Sequence, residues 1–318
     1  MDAADDEVVL EVPFLARVYK SGRVERFLGN DVLPAGLDPA TGVASKDVIV
    51  DPATSLTLRL YLPDLAGSSS ERKLPVLVYY HGGGFVVETA FSPTYHNYLN
   101  SLVAAAGVVA VSVDYRRAPE HPLPAAFDDS WAALRWVMSR AAEEAWLSER
   151  GDLGRVFLAG DSAGANIVHQ MAVRAADEGL GGGAAIRGLV LIHPFFWGAE
   201  PLESEGRDPK ARKWVEQIWA FVRPGTAGLD DPWINPLAEG APSLARIPCS
   251  RVLVTVAEKD MLRARGQAYY AALKRSGWEG EARLLETEGE QHVFHLLRPN
   301  SDKALAKLQA VAAFLTSD

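Results

Sequence analysis

Cysteine is nearly absent from this chain. Cys249 stands alone among 318 residues, so no internal disulfide can form, and the sequence fits a reducing compartment. Basic runs are missing as well. The net charge is -9 and the isoelectric point about 5.4. No stripe of Lys and Arg offers itself to phosphates, so a nucleic-acid partner is not expected. No apolar run approaches the roughly 18 residues that a membrane span needs. The opening MDAADDEVVLEVPF is acidic and has neither the basic start nor the long apolar core of a secretion signal. No Asn-x-Ser/Thr sequon occurs, and the closing Thr316-Ser317-Asp318 is not an organellar address. The expected location is the cytoplasm.

The remainder is ordinary for a globular protein, with 48% apolar and 23% charged residues. A chain of this length can form one large domain spanning residues 1–318, with room for an insertion. Leu74–Tyr80, Val108–Asp114, Arg155–Ala159, Ile186–Ile192, Arg251–Ala257 and Ala282–Glu286 are short β-rich runs. Ser92–Ala106, Leu123–Arg140, Ala163–Ala176, Ala264–Ser276 and Asp302–Leu315 lie around them and read as helices. Unbroken apolar strands alternating with helices predict an α/β fold, a mostly parallel central sheet with helices on both faces. Asp47–Val50 and Ser55–Tyr61 flank Pro52 and predict a hairpin. Polar loops are expected at 65–73 and 181–183.

Two segments depart from the alternation. Residues 1–45 carry apolar side chains at irregular spacing and suggest a short amphipathic helix followed by a turn. Residues 194–246 hold Trp197, Trp214, Trp219 and Trp233 among many Pro and Gly, with one helical piece near Lys210–Val222. This second segment reads as a cap inserted into the sheet unit.

Gly160-Asp161-Ser162-Ala163-Gly164 matches G-x-S-x-G between an apolar strand and a helix. A nucleophile on so sharp a turn needs small neighbours two positions away, and Gly160 and Gly164 supply them. The helix N-terminus behind Ser162 offers backbone amides and positive dipole to a developing oxyanion. His81-Gly82-Gly83-Gly84-Phe85 follows directly after Leu74–Tyr80. Glycines there let the backbone approach a substrate. The amides of Gly83, Gly84 and Ala163 are therefore the candidate oxyanion hole. A phosphate cradle would want a following Lys-Ser/Thr, which Phe85-Val86-Val87 does not supply. His81 precedes the glycines and is read as bracing the loop.

A serine nucleophile needs a base, and the base needs an orienting acid. In chain order these follow the Ser as acid, then His. Asp260 lies in the turn after Arg251–Ala257 and is preferred to Glu258. Of the histidines, only His292 and His295 come later. His292 is preferred because it follows a polar turn, whereas His295 sits among Val293, Phe294, Leu296 and Leu297. Phe14, Phe85, Trp214, Trp219 and Phe221 are candidate pocket walls, each with core packing as the alternative. No compelling metal-ligand cluster stands out, and the chemistry outlined requires no metal or cofactor.

These motifs together resemble a known family. HGGGF at 81–85, GDSAGAN at 160–166 and DYRRAPEHPLPAA at 114–126 resemble the hormone-sensitive-lipase-like α/β-hydrolases. PFLARVYKSGRVERF at 13–27, AEKD at 257–260 and HVFHL at 292–296 resemble the plant carboxylesterase subgroup. The resemblance covers nearly the whole chain. It implies an α/β-hydrolase fold in which residues 1–45 form part of a lid, residues 194–246 a cap, and 114–126 a brace around the site.

The implied activity is hydrolysis of a small-molecule ester, lipophilic or phenolic, through an acyl-enzyme. The same group includes gibberellin receptors, which lose the catalytic His, and His292 speaks against that reading. It also includes 2-hydroxyisoflavanone dehydratases, which can carry Thr as nucleophile. Ser162 favours ester hydrolysis but leaves dehydration, and acyl transfer to an alcohol, open.

Overall fold

The computed structural model describes residues 7–65, 73–140, 143–181, 185–202, 205 and 209–317. The loops expected at 65–73 and 181–183 lie largely outside these residues, as do residues 1–6 of the N-terminal segment and 203–204 and 206–208 of the segment expected as a cap.

Three strands open the chain: β1 (Val8–Val12), β2 (Ala16–Tyr19) and β3 (Val24–Arg26). Then follow β4 (Ala44–Asp51), β5 (Leu56–Leu62), β6 (Leu74–Tyr80), α1 (Pro93–Ala106), β7 (Val109–Asp114), α2 (Ala125–Arg140), α3 (Ala145–Arg150), β8 (Gly151–Asp161), α4 (Ala163–Glu178) and β9 (Ile186–Ile192). After α5 (Pro209–Val222) come β10 (Arg251–Ala257), α6 (Arg263–Arg275), β11 (Glu281–Thr287), the short α7 (Phe294–Leu297) and α8 (Asp302–Thr316).

The main sheet has eight strands in the order β11-β10-β9-β8-β6-β7-β5-β4. β5 alone runs against the rest, being antiparallel to both β4 and β7. The expected hairpin is therefore real and forms one edge of this sheet. β8, which leads into Ser162, is central, and β6, β8, β10 and β11 all end on the same side.

Strand periodicity explains why helices cover both faces. Val76, Val78 and Tyr80 of β6 project into one core with Leu134 of α2 and Ile167 of α4. Leu77 and Tyr79 project into the other with Leu99 and Leu102 of α1 and Val311 and Phe314 of α8. All five β6 side chains are fully buried. A strand buried on both faces cannot alternate polar and apolar residues, hence its continuous apolar run.

The N-terminal segment differs from expectation. Its residues form an antiparallel sheet, β1-β2-β3, and not an amphipathic helix. Val8, Val9 and Leu10 remain exposed, so no buried helical face exists for periodicity to report. Cross-strand ion pairs hold the strands instead: Arg17 Nε lies 2.7 Å from Glu11, and Lys20 Nζ 2.8 Å from Glu7. The extra helix α3 is capped by Glu144, whose side chain accepts the Trp146 amide at 3.0 Å.

Glu205, within residues 194–246, forms a buried ion pair with Arg265. Arg265 of α6 donates from Nε to Glu205 at 2.5 Å and from Nη2 to the same carboxylate at 2.7 Å. Arg265 also reaches the carbonyl of Glu200 at 2.6 Å. This fork ties Glu200 and Glu205 to α6.

Candidate active site

β8 ends at Asp161, and the chain reverses through Ser162 into α4. Ser162 sits at φ 53 and ψ -117, a strained conformation for a residue with a side chain. The reversal brings β8 and α4 hard against the end of β6. A Cβ at Gly164 would lie 1.9 Å from the Tyr80 carbonyl oxygen, and one at Gly160 would lie 2.6 Å from it. Only glycine fits at both positions. The strain is held in place by the Ser162 amide donating to Ile192 at 2.8 Å and the Phe195 amide donating to Ser162 at 3.0 Å.

The ends of β10 and β11 deliver the other two groups. His292 Nε2 is 2.9 Å from Ser162 Oγ, and His292 Nδ1 is 2.7 Å from Asp260 Oδ2. Asp260 is buried, and its other oxygen accepts the Leu262 amide at 2.9 Å. A carboxylate fixed this way holds the imidazole with Nδ1–H toward itself and the Nε2 lone pair toward the hydroxyl. Burial works against charging His292, but the Asp260 charge and hydrogen bond outweigh it and raise its pKa. The side chain of His292 keeps 33% of its exposure, so it borders open space.

The glycine loop after β6 faces Ser162 from the neighbouring strand. Gly83 adopts φ 93, and a Cβ there would strike the Val87 carbonyl oxygen at 2.2 Å. Its own carbonyl accepts the amides of Val86 and Val87, both at 3.0 Å. Among the described residues, the amides of Gly83 and Gly84 donate to no protein acceptor. The Ala163 amide opens α4, where helix geometry leaves the first amides without an internal partner. These three sequence-predicted amides are thus available as donors.

A buried network braces this loop. The Gly82 amide donates to Tyr95 Oη at 2.7 Å, and Tyr95 donates in turn to Asp161 Oδ2 at 2.9 Å. Tyr79 donates to the other oxygen of Asp161 at 2.8 Å. Burial raises Asp161 to about 6, against the pull of the two tyrosine hydrogen bonds. His81 stacks on Tyr115 with ring centroids 4.1 Å apart, and burial drops its pKa to about 3. It is a neutral brace. Tyr115 adds a 2.6 Å hydrogen bond to the His81 carbonyl.

The neighbouring segment 114–126 also braces. Arg116 forks onto Asp129 at 2.9 and 2.8 Å, Arg117 donates to the Glu88 carbonyl at 2.6 Å, and Arg26 of β3 donates to Glu120 at 2.9 Å.

The aromatic candidates divide. Phe85 is buried, with its ring edge-on to Phe127 and Phe195, and Trp219 and Phe221 are buried side chains of α5. Trp214 is half-buried and donates from its indole to the Pro13 carbonyl at 3.0 Å, joining α5 to the N-terminal sheet. Phe14 stands 77% exposed. The side chains closest to Gly84 are Leu15 and Ile218, 3.4 and 3.8 Å from where a Cβ at that glycine would be. Sequence reasoning missed both, because an aliphatic residue beside an aromatic one carries no mark of facing a site. It also assigned nothing to His193 and Lys307, which lie under the His292 loop.

His193, Asp260 and His292 offer ligand-type atoms within 4.8 Å of one another. Nδ1 of His292 already donates to Asp260, and Nδ1 of His193 already accepts the Val293 amide, so neither presents a free lone pair to an ion. No described helix is long and apolar enough to cross a membrane.

A family model described as the alpha/beta hydrolase fold matches residues 77–296. Tuliposide A-converting enzyme 1, chloroplastic, of Tulipa gesneriana is 50% identical over 320 residues, covering 99% of this chain and 80% of the tulip protein. Probable carboxylesterase 13 of Arabidopsis thaliana is 46% identical over 327 residues and covers 99% of both chains. The chain belongs to the plant carboxylesterase family. Membership carries the enzyme class, carboxylic ester hydrolase. Among solved structures, an esterase of Pyrobaculum calidifontis in a monoclinic form superposes on the carboxylesterase with a TM-score of 0.71 at 29% identity, covering 86% of this chain and 84% of the other.

Proposed function

We propose that this carboxylesterase is a serine hydrolase that cleaves small lipophilic or phenolic carboxylic esters through an acyl-enzyme. The supporting observation is the continuous path from Ser162 Oγ to His292 Nε2 at 2.9 Å and from His292 Nδ1 to Asp260 at 2.7 Å. Ser162 attacks the ester carbonyl while His292 takes its proton. The amides of Gly83, Gly84 and Ala163 hold the oxyanion, where each donor is worth about 3 kcal/mol in comparable enzymes. His292 then gives the proton to the leaving alcohol, and water, deprotonated by the same imidazole, releases the acid.

The apolar pair Leu15 and Ile218 beside Gly84 suits a compact lipophilic acyl or alcohol group. In this reading the N-terminal sheet acts as a lid and residues 194–246 as the cap, joined at Trp214 and Pro13. Trp214 and Phe14 keep exposed surface to offer a substrate, whereas Phe85, Trp219 and Phe221 would act through packing. A panel of p-nitrophenyl esters of increasing chain length tests the proposal. Turnover that is best with short acyl chains supports it, and no turnover on any member sinks it.

The tulip relatives favour a second reading. They are named for converting tuliposide A, a description that does not specify hydrolysis. Product masses separate the two: hydrolysis adds the elements of water, whereas acyl transfer within a substrate or elimination does not. Several tulip relatives are named chloroplastic or amyloplastic, so the cytoplasmic location expected from the sequence stays part of the proposal. Imaging a C-terminal fluorescent fusion of the full chain in leaf cells tests it.

A further inference from the structure

Directly under the proposed base lies a buried basic cluster that the reaction does not use. His193 follows β9, Lys307 projects from α8, and both are almost fully buried. Lys307 Nζ is 2.7 Å from His193 Nε2 and 3.5 Å from His295 Nδ1. On its other side, His193 Nδ1 receives the backbone amide of Val293 at 2.9 Å. Val293 is the residue after His292, and it is held at φ 45, a conformation that β-branched residues rarely adopt.

Donor and acceptor counting decides the direction of these bonds. His193 Nδ1 accepts, so on a neutral ring the proton is on Nε2. That proton points at Lys307 Nζ. An ammonium has three donors and no lone pair, and could not receive it. A neutral amine has one lone pair and two N–H bonds. It accepts from His193 and still donates to His295, which matches the contacts observed.

We propose that Lys307 is a positioning residue of the hydrolytic site, working as a neutral amine that accepts the Nε2–H of His193. His193 is thereby locked in the tautomer that holds Val293, and through Val293 it fixes the loop on which His292 is carried. This rests on the serine-hydrolase reading above.

The surroundings agree. Nζ is faced by His193 and His295, by the Phe294 ring with its centroid 5.0 Å away, and more distantly by His292, Asp161 and Asp260. Burial takes Lys307 well below the ordinary ammonium range, against the pull of Asp161 and Asp260. Burial also takes His193 well below the ordinary imidazole range, as its neutral ring requires. A neutral Lys307 has a further consequence. It leaves the Asp260 charge undivided, so that charge serves the imidazolium that forms on His292.

Three variants of the full chain test the hydrogen-bond logic. Lys307→Met keeps length and apolar bulk but offers only a weakly accepting thioether. Lys307→Arg brings only donors. Lys307→Gln offers an amide oxygen that can accept from His193. A displaced His292 loop costs on the order of 10- to 100-fold in rate, since small misplacements at a reacting centre carry that penalty. With a p-nitrophenyl ester, Met and Arg should lower kcat by that factor with little change in KM, and Gln should recover most of it. Nitrogen NMR on the wild-type enzyme labelled with 15N-histidine should show His193 protonated at Nε2 and bare at Nδ1.

The proposal is overturned if Lys307→Met retains wild-type kcat, if Gln is as impaired as Met, or if the wild-type spectrum shows His193 protonated at Nδ1. The NMR arm needs neither a variant that folds nor a substrate. It therefore decides the Lys307–His193 bond even if the wild type turns over no ester, an outcome that would sink the hydrolase reading itself.

Discussion

Replacing Gly164 with alanine places a methyl group where the end of β6 already is. The new Cβ would stand 1.9 Å from the Tyr80 carbonyl oxygen and 2.7 Å from that of His81. Ordinary contact begins near 3.4 Å, so backbone must yield by about 1.5 Å, the kind of overpacking that costs roughly 1–3 kcal/mol or more. Neither neighbour moves freely. Tyr80 is fully buried at the end of β6, and His81 is stacked on Tyr115 and begins the glycine loop. The displacement is therefore passed to Gly83 and Gly84, or to Ser162.

Misplacing reacting groups by about 1 Å can cost on the order of 100-fold in rate. Gly164→Ala is expected to lower kcat/KM on p-nitrophenyl acetate by about that factor. Its thermal midpoint should also fall by several degrees. Both are measured on the same preparation, with circular dichroism to show that the fold survives. Wild-type turnover together with a wild-type melting curve would refute the claim that β8, α4 and β6 are packed to contact here.

Other outcomes follow from the same geometry. Asp260→Asn can no longer hold His292 with Nδ1–H inward, and turnover should fall by about four orders of magnitude, as tautomer errors do in related triads; a loss below tenfold would contradict the orienting role. His292 is a base only when neutral, and its pKa is raised by Asp260 despite burial. Activity should therefore fall on the acid side through a midpoint above the ordinary imidazole value of about 6.5, and a midpoint at or below that value speaks against the pairing. Glu205→Ala leaves Arg265 buried without its counter-charge, a loss of about 3–5 kcal/mol visible as a lowered denaturant midpoint. An unchanged midpoint would mean that residues 194–246 are not anchored there.

How much of this was legible in the sequence depends on where each signal comes from. Leu74–Tyr80, Ile186–Ile192 and Arg251–Ala257 form strands with the bounds expected, because burial on both faces leaves an uninterrupted apolar run. Ser162 was marked by its glycines, which the contact with Tyr80 demands. Asp260 and His292 could be named because each lies just past the end of a readable strand.

The N-terminal sheet was misread because Val8, Val9 and Leu10 of β1 are exposed and the strands are held by pairs such as Arg17 with Glu11, which leave no periodic trace. Leu15 and Ile218 were missed because which of two adjacent apolar residues faces a site is set by tertiary packing. Lys307 was invisible for a sharper reason. On an amphipathic helix a lysine ordinarily marks the wet face, and only the fold brings it beside His193, distant by 114 positions along the chain.

The central claim is that the hydroxyl of Ser162 forms the acyl-enzyme. Labelling the intact enzyme with a fluorophosphonate and mapping the adduct by peptide mass spectrometry tests it most directly. A single adduct on Ser162, formed far more slowly when His292 is replaced by alanine, is the expected result. An adduct on another residue, or undiminished ester turnover by Ser162→Ala, would contradict the account.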